Sequence, residues 1–392
     1  MSESERAERT SRLVRDLPPS GIREFFDLVI GVPDVITLGV GEPDFATPWH
    51  ICDAILHALR EGQTSYTSNY GLLELRQEIA VMLQRDYGVE YDPEEEVVVT
   101  SGVSEALDVL LRAVLDPGDE VIVPEPCYVA YKACVSLAGG RPVAIETRSE
   151  DGWTLRPEAV REAITPRTRA LLIGYPNNPT GAVMTREELQ QIVDAAAEAD
   201  LLLISDEIYS RLTYEGRHTC VPGVPGAWER TVLLNGFSKA YAMTGWRIGF
   251  AAGPPDIIDA MVKIHAYTAL CAPITGQVAA IEALRHGTPS MESMAAEFEQ
   301  RRRLFLEGLA DAGLSCFEPK GAFYAFPSVA VTGLSSEEFC RRLLHQEKVA
   351  IVPGTAFGEC GEGYVRCTYA NSFEALREAL ARLKRFVSGH TR

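Results

Sequence analysis

Short runs of consecutive apolar residues alternate with longer segments whose apolar positions recur every three or four residues. The runs Val97–Thr100, Val121–Val123, Ala170–Gly174, Leu201–Ser205, Thr231–Leu234 and Ile248–Ala252 offer almost no polar face. That is the pattern of strands covered on both sides. Helical spacing between them predicts helices near residues 48–61, 71–87, 105–115, 129–138, 185–199 and 254–265. Strand and helix in repeated alternation predict an α/β fold with a mostly parallel sheet between helices. The last third differs. A helical stretch over about 273–313 precedes strand-like segments at Gly321–Phe326, Val349–Val352 and Gly363–Tyr369, and an amphipathic helix at about 373–388. This predicts a smaller α+β unit, joined to the first by one long helix and completed by the N-terminal segment. In that segment Pro18–Gly21 separates a polar arm from a helix starting near Ile22, with Phe25, Phe26 and Val29 on one face, and Val35–Leu38 reads as a short strand. The expected division is 1–47 (arm and part of the small unit), 48–285 (large unit) and 286–392 (small unit).

The 392 residues exceed what one core usually supports, which agrees with a large and a small domain. With 46% hydrophobic and 23% charged residues the composition is that of an ordinary globular protein. A net charge of −18 disfavours a nucleic-acid partner, because phosphates need a basic face. No apolar run reaches the roughly 18 residues of a membrane span, and Met-Ser-Glu-Ser-Glu-Arg is unlike a secretory signal. The nine cysteines are scattered without a Cys-x-x-Cys pair. They read as reduced residues of a cytoplasmic protein, with no metal site.

In such sheets ligands lie at the carboxyl ends of the strands. Ser101, Tyr128, Asn178, Asp206 and Lys239 all fall at or just after predicted strand ends. Ser101-Gly102-Val103-Ser104 joins a strand to a helix start, where free N–H groups and the helix dipole attract an anion. Asp206 follows a buried strand and either caps a helix or needs a cationic partner. Lys239 sits in the small-residue turn Asn235–Gly249, eight residues before Arg247. Burial lowers an amine's pKa and makes it a better nucleophile and base, whereas a solvated surface loop would leave it inert. Gly39-Val-Gly41-Glu-Pro-Asp44 is a turn where backbone can approach a ligand, or a plain structural turn.

These stretches resemble, in order, the motifs of the class I/II pyridoxal-phosphate aminotransferases with the aspartate aminotransferase fold (fold type I). They are Gly41-Glu-Pro-Asp44, Ser101–Ser104, Asn177-Asn178-Pro-Thr-Gly181, Asp206-Glu-Ile-Tyr209, Ser238-Lys239 with Met243–Gly249, and Tyr364-Val-Arg366. The chain looks most like the branch of aspartate, aromatic and N-acetyl-diaminopimelate aminotransferases. The resemblance implies a mostly parallel seven-stranded sheet in the large domain. It implies that Lys239 holds pyridoxal 5'-phosphate as an internal aldimine and later acts as the base. It implies that Asp206 pairs with the ring nitrogen, that Tyr209 and Asn178 hydrogen-bond the ring oxygen, and that Tyr128 stacks on the ring. Gly102, Val103, Ser104, Ser238 and Arg247 would bind the phosphate, with Tyr66 reaching it from the other subunit of a homodimer. Arg366 would grip the substrate α-carboxylate, assisted by Gly41 and Asn178. Where many relatives carry a serine three residues before the lysine, this chain has Gly236, which bears on cofactor affinity and not on reaction type. The implied activity is amino transfer from an aspartate-like or aromatic L-amino acid to 2-oxoglutarate by a ping-pong route. A β-lyase, decarboxylase or synthase of the same fold, or a cofactor-sensing regulator, are the alternatives. For the substrate side chain, Arg23 is a candidate for a distal carboxylate, and Tyr70 and Phe323 for an aromatic ring.

Overall fold

The computed structural model describes residues 9–19, 21, 29 and 32–390. The helix expected from Ile22, with Phe25 and Phe26, and the candidate Arg23 lie outside the described residues. In chain order the strands are β1 (Ile36–Thr37), β2 (Val97–Thr100), β3 (Glu120–Glu125), β4 (Arg141–Glu146), β5 (Thr168–Gly174), β6 (Leu202–Asp206), β7 (Thr231–Gly236), β8 (Gly249–Ala252), β9 (Tyr324–Ala325), β10 (Val349–Ala350), β11 (Val352–Pro353) and β12 (Val365–Thr368). Seven form one sheet in the order β2-β8-β7-β6-β5-β3-β4. All its neighbours pair in parallel except β8, which runs against both β2 and β7.

Strands β2, β3, β7 and β8 are buried at every residue, which is why their central residues are apolar without alternation. The helix Val103–Val114 packs on this sheet through Ala106, Leu107, Val109, Leu110 and Leu111. Burial of each large side chain there stabilises by about 1.5–3 kcal/mol, so this helix start is firmly anchored. The strand β4 escapes the apolar-run pattern. It is an edge strand, half exposed, with Pro142 in it, and pairs only with β3.

Two smaller sheets lie downstream. One is antiparallel in the order β11-β12-β9; the other pairs β1 with β10 in parallel, Ile36 opposite Val349. The N-terminal strand thus joins a C-terminal partner. The helix expected over 273–313 is instead two helices, Ile274–His286 and Thr288–Asp311. Pro289 in the first turn of the second helix has no N–H to continue the first, and Gly287 marks the break. A helix at Ser336–Glu347 and a short one at Pro157–Ala163 were not anticipated.

Candidate active site

The site starts from a contact between glycines. Gly102, at φ 81°, stands between β2 and the helix Val103–Val114, and a Cβ there would lie 2.8 Å from Arg247 Nη2. Only glycine lets the guanidinium come so close to the helix start. On the other side, a Cβ on Gly249 would lie 2.8 Å from Gly102 C and Val103 N. Gly236 pairs across the strands with Gly249, and a Cβ on Gly236 would be 2.9 Å from Gly249 Cα. The glycine that replaces serine here therefore lies in a backbone-to-backbone stack under the turn. Arg247, itself left-handed at φ 52°, donates from Nη1 to Thr244 O at 2.9 Å and from Nη2 to Ser101 O at 3.4 Å. Beneath the turn Glu105 accepts from Ser101 N at 2.5 Å and meets His265 Nδ1 at 2.8 Å. The first N–H groups of the helix, beside an arginine, make an anion cradle.

Next to the cradle stand Asp206 and Lys239. Asp206 ends β6 and is buried; it accepts from Tyr131 Oη at 2.9 Å and from Ile208 N at 3.2 Å. Burial nonetheless pushes its pKa up to about 6 from an ordinary 3.8, because two hydrogen bonds do not replace a cation. Lys239 follows β7 and donates from Nζ to Gly41 O at 2.6 Å. Burial, with Arg366 and Arg247 nearby, brings its amine down to about 8 against the pull of Glu42. A carboxyl raised and an amine lowered within one cavity mark a place built for chemistry, since neither shift stabilises the fold.

The third group centres on Arg366, which is 2% exposed on β12. Its guanidinium lies between the rings of Tyr324 and Phe357, 4.6 and 4.7 Å from their centroids. Nη1 donates to Asn178 Oδ1 at 3.0 Å and Nη2 to Gly39 O at 2.6 Å, while Nε is buried without a partner among the described residues. A buried donor left unpaired fits a site meant to receive an anion. Asn178 and its neighbour divide the work. Asn177 Oδ1 accepts from Thr180 N and Oγ1 and builds the turn, and Asn178 faces the arginine through its Oδ1.

Of the residues anticipated from sequence as catalytic, cofactor-binding or α-carboxylate-binding, all but Gly102 and Tyr66 line one cavity of about 460 Å³. Gly102 shapes its wall through Arg247. Tyr66 is 81% exposed and away from this chain's cavity. Tyr70 turns to Asp259 Oδ1 at 3.4 Å, and Phe323 is fully buried beneath, 5.9 Å from Lys239 Nζ, so neither is at the cavity wall. The wall includes two tyrosines not anticipated from sequence, Tyr131 and Tyr324. Tyr131 could have been found by its spacing of three from Tyr128, against whose ring it packs edge to face at 5.6 Å.

Similarity to known proteins agrees with this geometry. The family described as "Aminotransferase class I and II" matches residues 33–383. A Bacillus subtilis protein, YugH, is 51% identical over 377 residues, which is 96% of this chain and 98% of that one. Aromatic-amino-acid aminotransferase 2 of Thermococcus litoralis is 43% identical, covering 94% of this chain and 96% of its own. The solved aspartate aminotransferase of Thermus thermophilus with maleate superposes with a TM-score of 0.92 at 42% identity, over 96% of this chain and 99% of that one.

Proposed function

The chain belongs to the class I and II aminotransferases, and from that premise we propose that it uses pyridoxal 5'-phosphate to move the α-amino group of an aspartate-like or aromatic L-amino acid to 2-oxoglutarate. The observation that carries this is one cavity in which the Lys239 amine and the buried Asp206 carboxyl stand beside an anion cradle and the buried Arg366. The residues fit the cofactor. The Gly102–Ser104 turn with Ser238 and Arg247 would take its phosphate. Asp206 would take a protonated ring nitrogen, the cation its burial calls for. Tyr209 and Asn178 would hold the ring oxygen, with Tyr128 on the ring face, and Lys239 would bind covalently through Nζ. When bound, the group supplies a sink for the electrons released at the substrate Cα.

The chain's own residues supply the rest. Arg366 holds the α-carboxylate, using the Nε that has no other partner, while Asn178 and Gly39 fix the guanidinium plane. Nζ of Lys239, with a pKa near working pH, takes the proton from Cα. The same arginine then holds the oxo-acid acceptor, which enters the same cavity in the second half of a ping-pong cycle. Replacing Arg366 with Lys is expected to lower kcat/KM about 100-fold for donor and acceptor alike, because one ammonium cannot reproduce the fork. Steady-state kinetics varying each substrate in turn checks this, and an effect on the donor alone would separate the two binding modes.

A single-turnover experiment tests the function. Cofactor-loaded protein mixed with L-aspartate or L-phenylalanine, without acceptor, is expected to release one equivalent of the matching 2-oxo acid and then stop. Adding 2-oxoglutarate should restart it with formation of glutamate. Release of carbon dioxide or of an eliminated side-chain group instead would point to a decarboxylase or lyase.

We further propose a homodimer in which the partner's Tyr66 reaches the phosphate; support comes from the exposure of Tyr66, with Trp49 and Tyr267 also exposed. Sedimentation of active protein at the mass of one 42.9 kDa chain would remove that residue from the site. Unit boundaries near 47/48 and 285/286 are supported by the pairing of β1 with β10 and the helix break at Gly287. A cytoplasmic location draws support from nine unpaired cysteines; cell fractionation tests it. Among the described residues no helix is long and apolar enough to cross a membrane.

A further inference from the structure

Tyr324 touches two parts of the site at once. Its hydroxyl lies 2.7 Å from the hydroxyl of Tyr209, and the two buried rings meet edge to face at 5.7 Å. Its ring also carries the guanidinium of Arg366, 4.6 Å from the centroid. The remaining side is closed by backbone, since a Cβ on Gly41 would lie 2.6 Å from Tyr324 Oη. The strand β9 fixes this placement through the pairing of Tyr324 with Thr368 on β12, the strand that bears Arg366.

A phenol has one proton to donate. If Tyr209 spends its proton on the cofactor's ring oxygen, its own oxygen can only accept from Tyr324. The geometry points to Tyr324 as a positioning residue, which donates its hydroxyl proton to Tyr209 and so strengthens the hydrogen bond from Tyr209 to the cofactor's ring oxygen, while its ring supports the carboxylate-binding Arg366. The inference rests on the reading of the cavity as a pyridoxal-phosphate site, and it divides one side chain into two separable parts. The hydroxyl acts on the cofactor side. The ring acts on the substrate side.

The physical basis is a directional chain. Each hydrogen bond in such a chain polarises the next, by something like 10–30% in a low-dielectric interior. A stronger bond from Tyr209 stabilises the ring oxygen when it is most negative, and so lowers the pH at which the bound cofactor loses its proton. The charged and titratable groups acting on the two phenols are Arg366, Asp206 and Tyr128. None of them hydrogen-bonds to either phenol.

The test is a pH titration of the visible absorbance of cofactor-loaded protein, without substrate. In Tyr324→Phe the midpoint is expected to rise by about half a pH unit. The same substitution made in a Tyr209→Phe background is expected to add nothing, because the relay then has no second member. KM for the amino donor should stay within about twofold in Tyr324→Phe, which keeps the ring, and rise about 10-fold in Tyr324→Leu, which loses the cation–π support. An unchanged midpoint in Tyr324→Phe, or a full shift that persists in the Tyr209→Phe background, would overturn the relay. Equal KM values for Tyr324→Phe and Tyr324→Leu would overturn the role of the ring. Failure of the parent protein to develop a visible absorbance with pyridoxal phosphate would instead count against the reading of the cavity itself, and so separates the two.

Discussion

Replacing Lys239 with Ala is expected to lower kcat by at least about 10⁴-fold, with the protein still folded and still able to bind cofactor in its anion cradle. Two losses combine in this one substitution. The proposed covalent hold through Nζ would go, and so would the amine proposed to take a proton from Cα, Lys239 being the one lysine that lines the cavity among the described residues. The fold should tolerate the change. Lys239 contributes one hydrogen bond, to Gly41 O, and its lowered pKa means that the folded state disfavours its charge. That disfavour is largest below about pH 8, where the folded amine is protonated at a cost, and vanishes above the unfolded value near 10.5. The variant should therefore melt no lower than the parent at pH 7, read by calorimetry alongside the kinetics. A variant that keeps more than a few per cent of parental kcat would remove Lys239 from its role.

Replacing Asp206 with Asn is expected to lower kcat by about 10³-fold while making the cofactor-stripped protein more stable at neutral pH. The sign follows from the raised pKa. A buried carboxyl whose folded pKa is about 6, against 3.8 unfolded, costs nothing when protonated below about pH 4. The cost grows as pH rises to about 6 and is constant above, reaching roughly 3 kcal/mol at most. Asparagine carries no charge, so the variant's advantage should appear above pH 6 and vanish near pH 4. Loading with cofactor should reverse the order, because a protonated ring nitrogen compensates the carboxylate and has no such effect on an amide. Thermal melts of parent and variant at pH 4 and pH 7, with and without pyridoxal phosphate, give the four values needed. A variant less stable than the parent at pH 7 without cofactor would mean that Asp206 is already satisfied by Tyr131 and Ile208.

Much of this was legible in the sequence, for a physical reason. The central strands are buried on both faces, so their apolar runs stand out. Their polar terminators, Ser101, Asn178, Asp206 and Lys239, are conspicuous against that background. The strand β4 did not stand out because an exposed edge imposes no such pattern. Tyr324 was hidden for a different reason. Phe323 immediately precedes the short strand β9, which Tyr324 begins, and one of the two must face the cavity. Which one does is decided by the pairing of Tyr324 with Thr368, set by contacts far along the chain. The break at Gly287 was written in Pro289, but helical periodicity on both sides masked it. Gly236 bears on cofactor affinity in the sequence, and the close approach of Gly249 gives its structural reason.

The proposed chemistry depends above all on Lys239 carrying the cofactor. Borohydride reduction of cofactor-loaded protein, followed by digestion and mass spectrometry of the peptides, tests it most directly. The predicted result is a single modified peptide containing Lys239, heavier by one reduced pyridoxyl phosphate group. A label on a different lysine, or no label in protein that still transaminates, would contradict it.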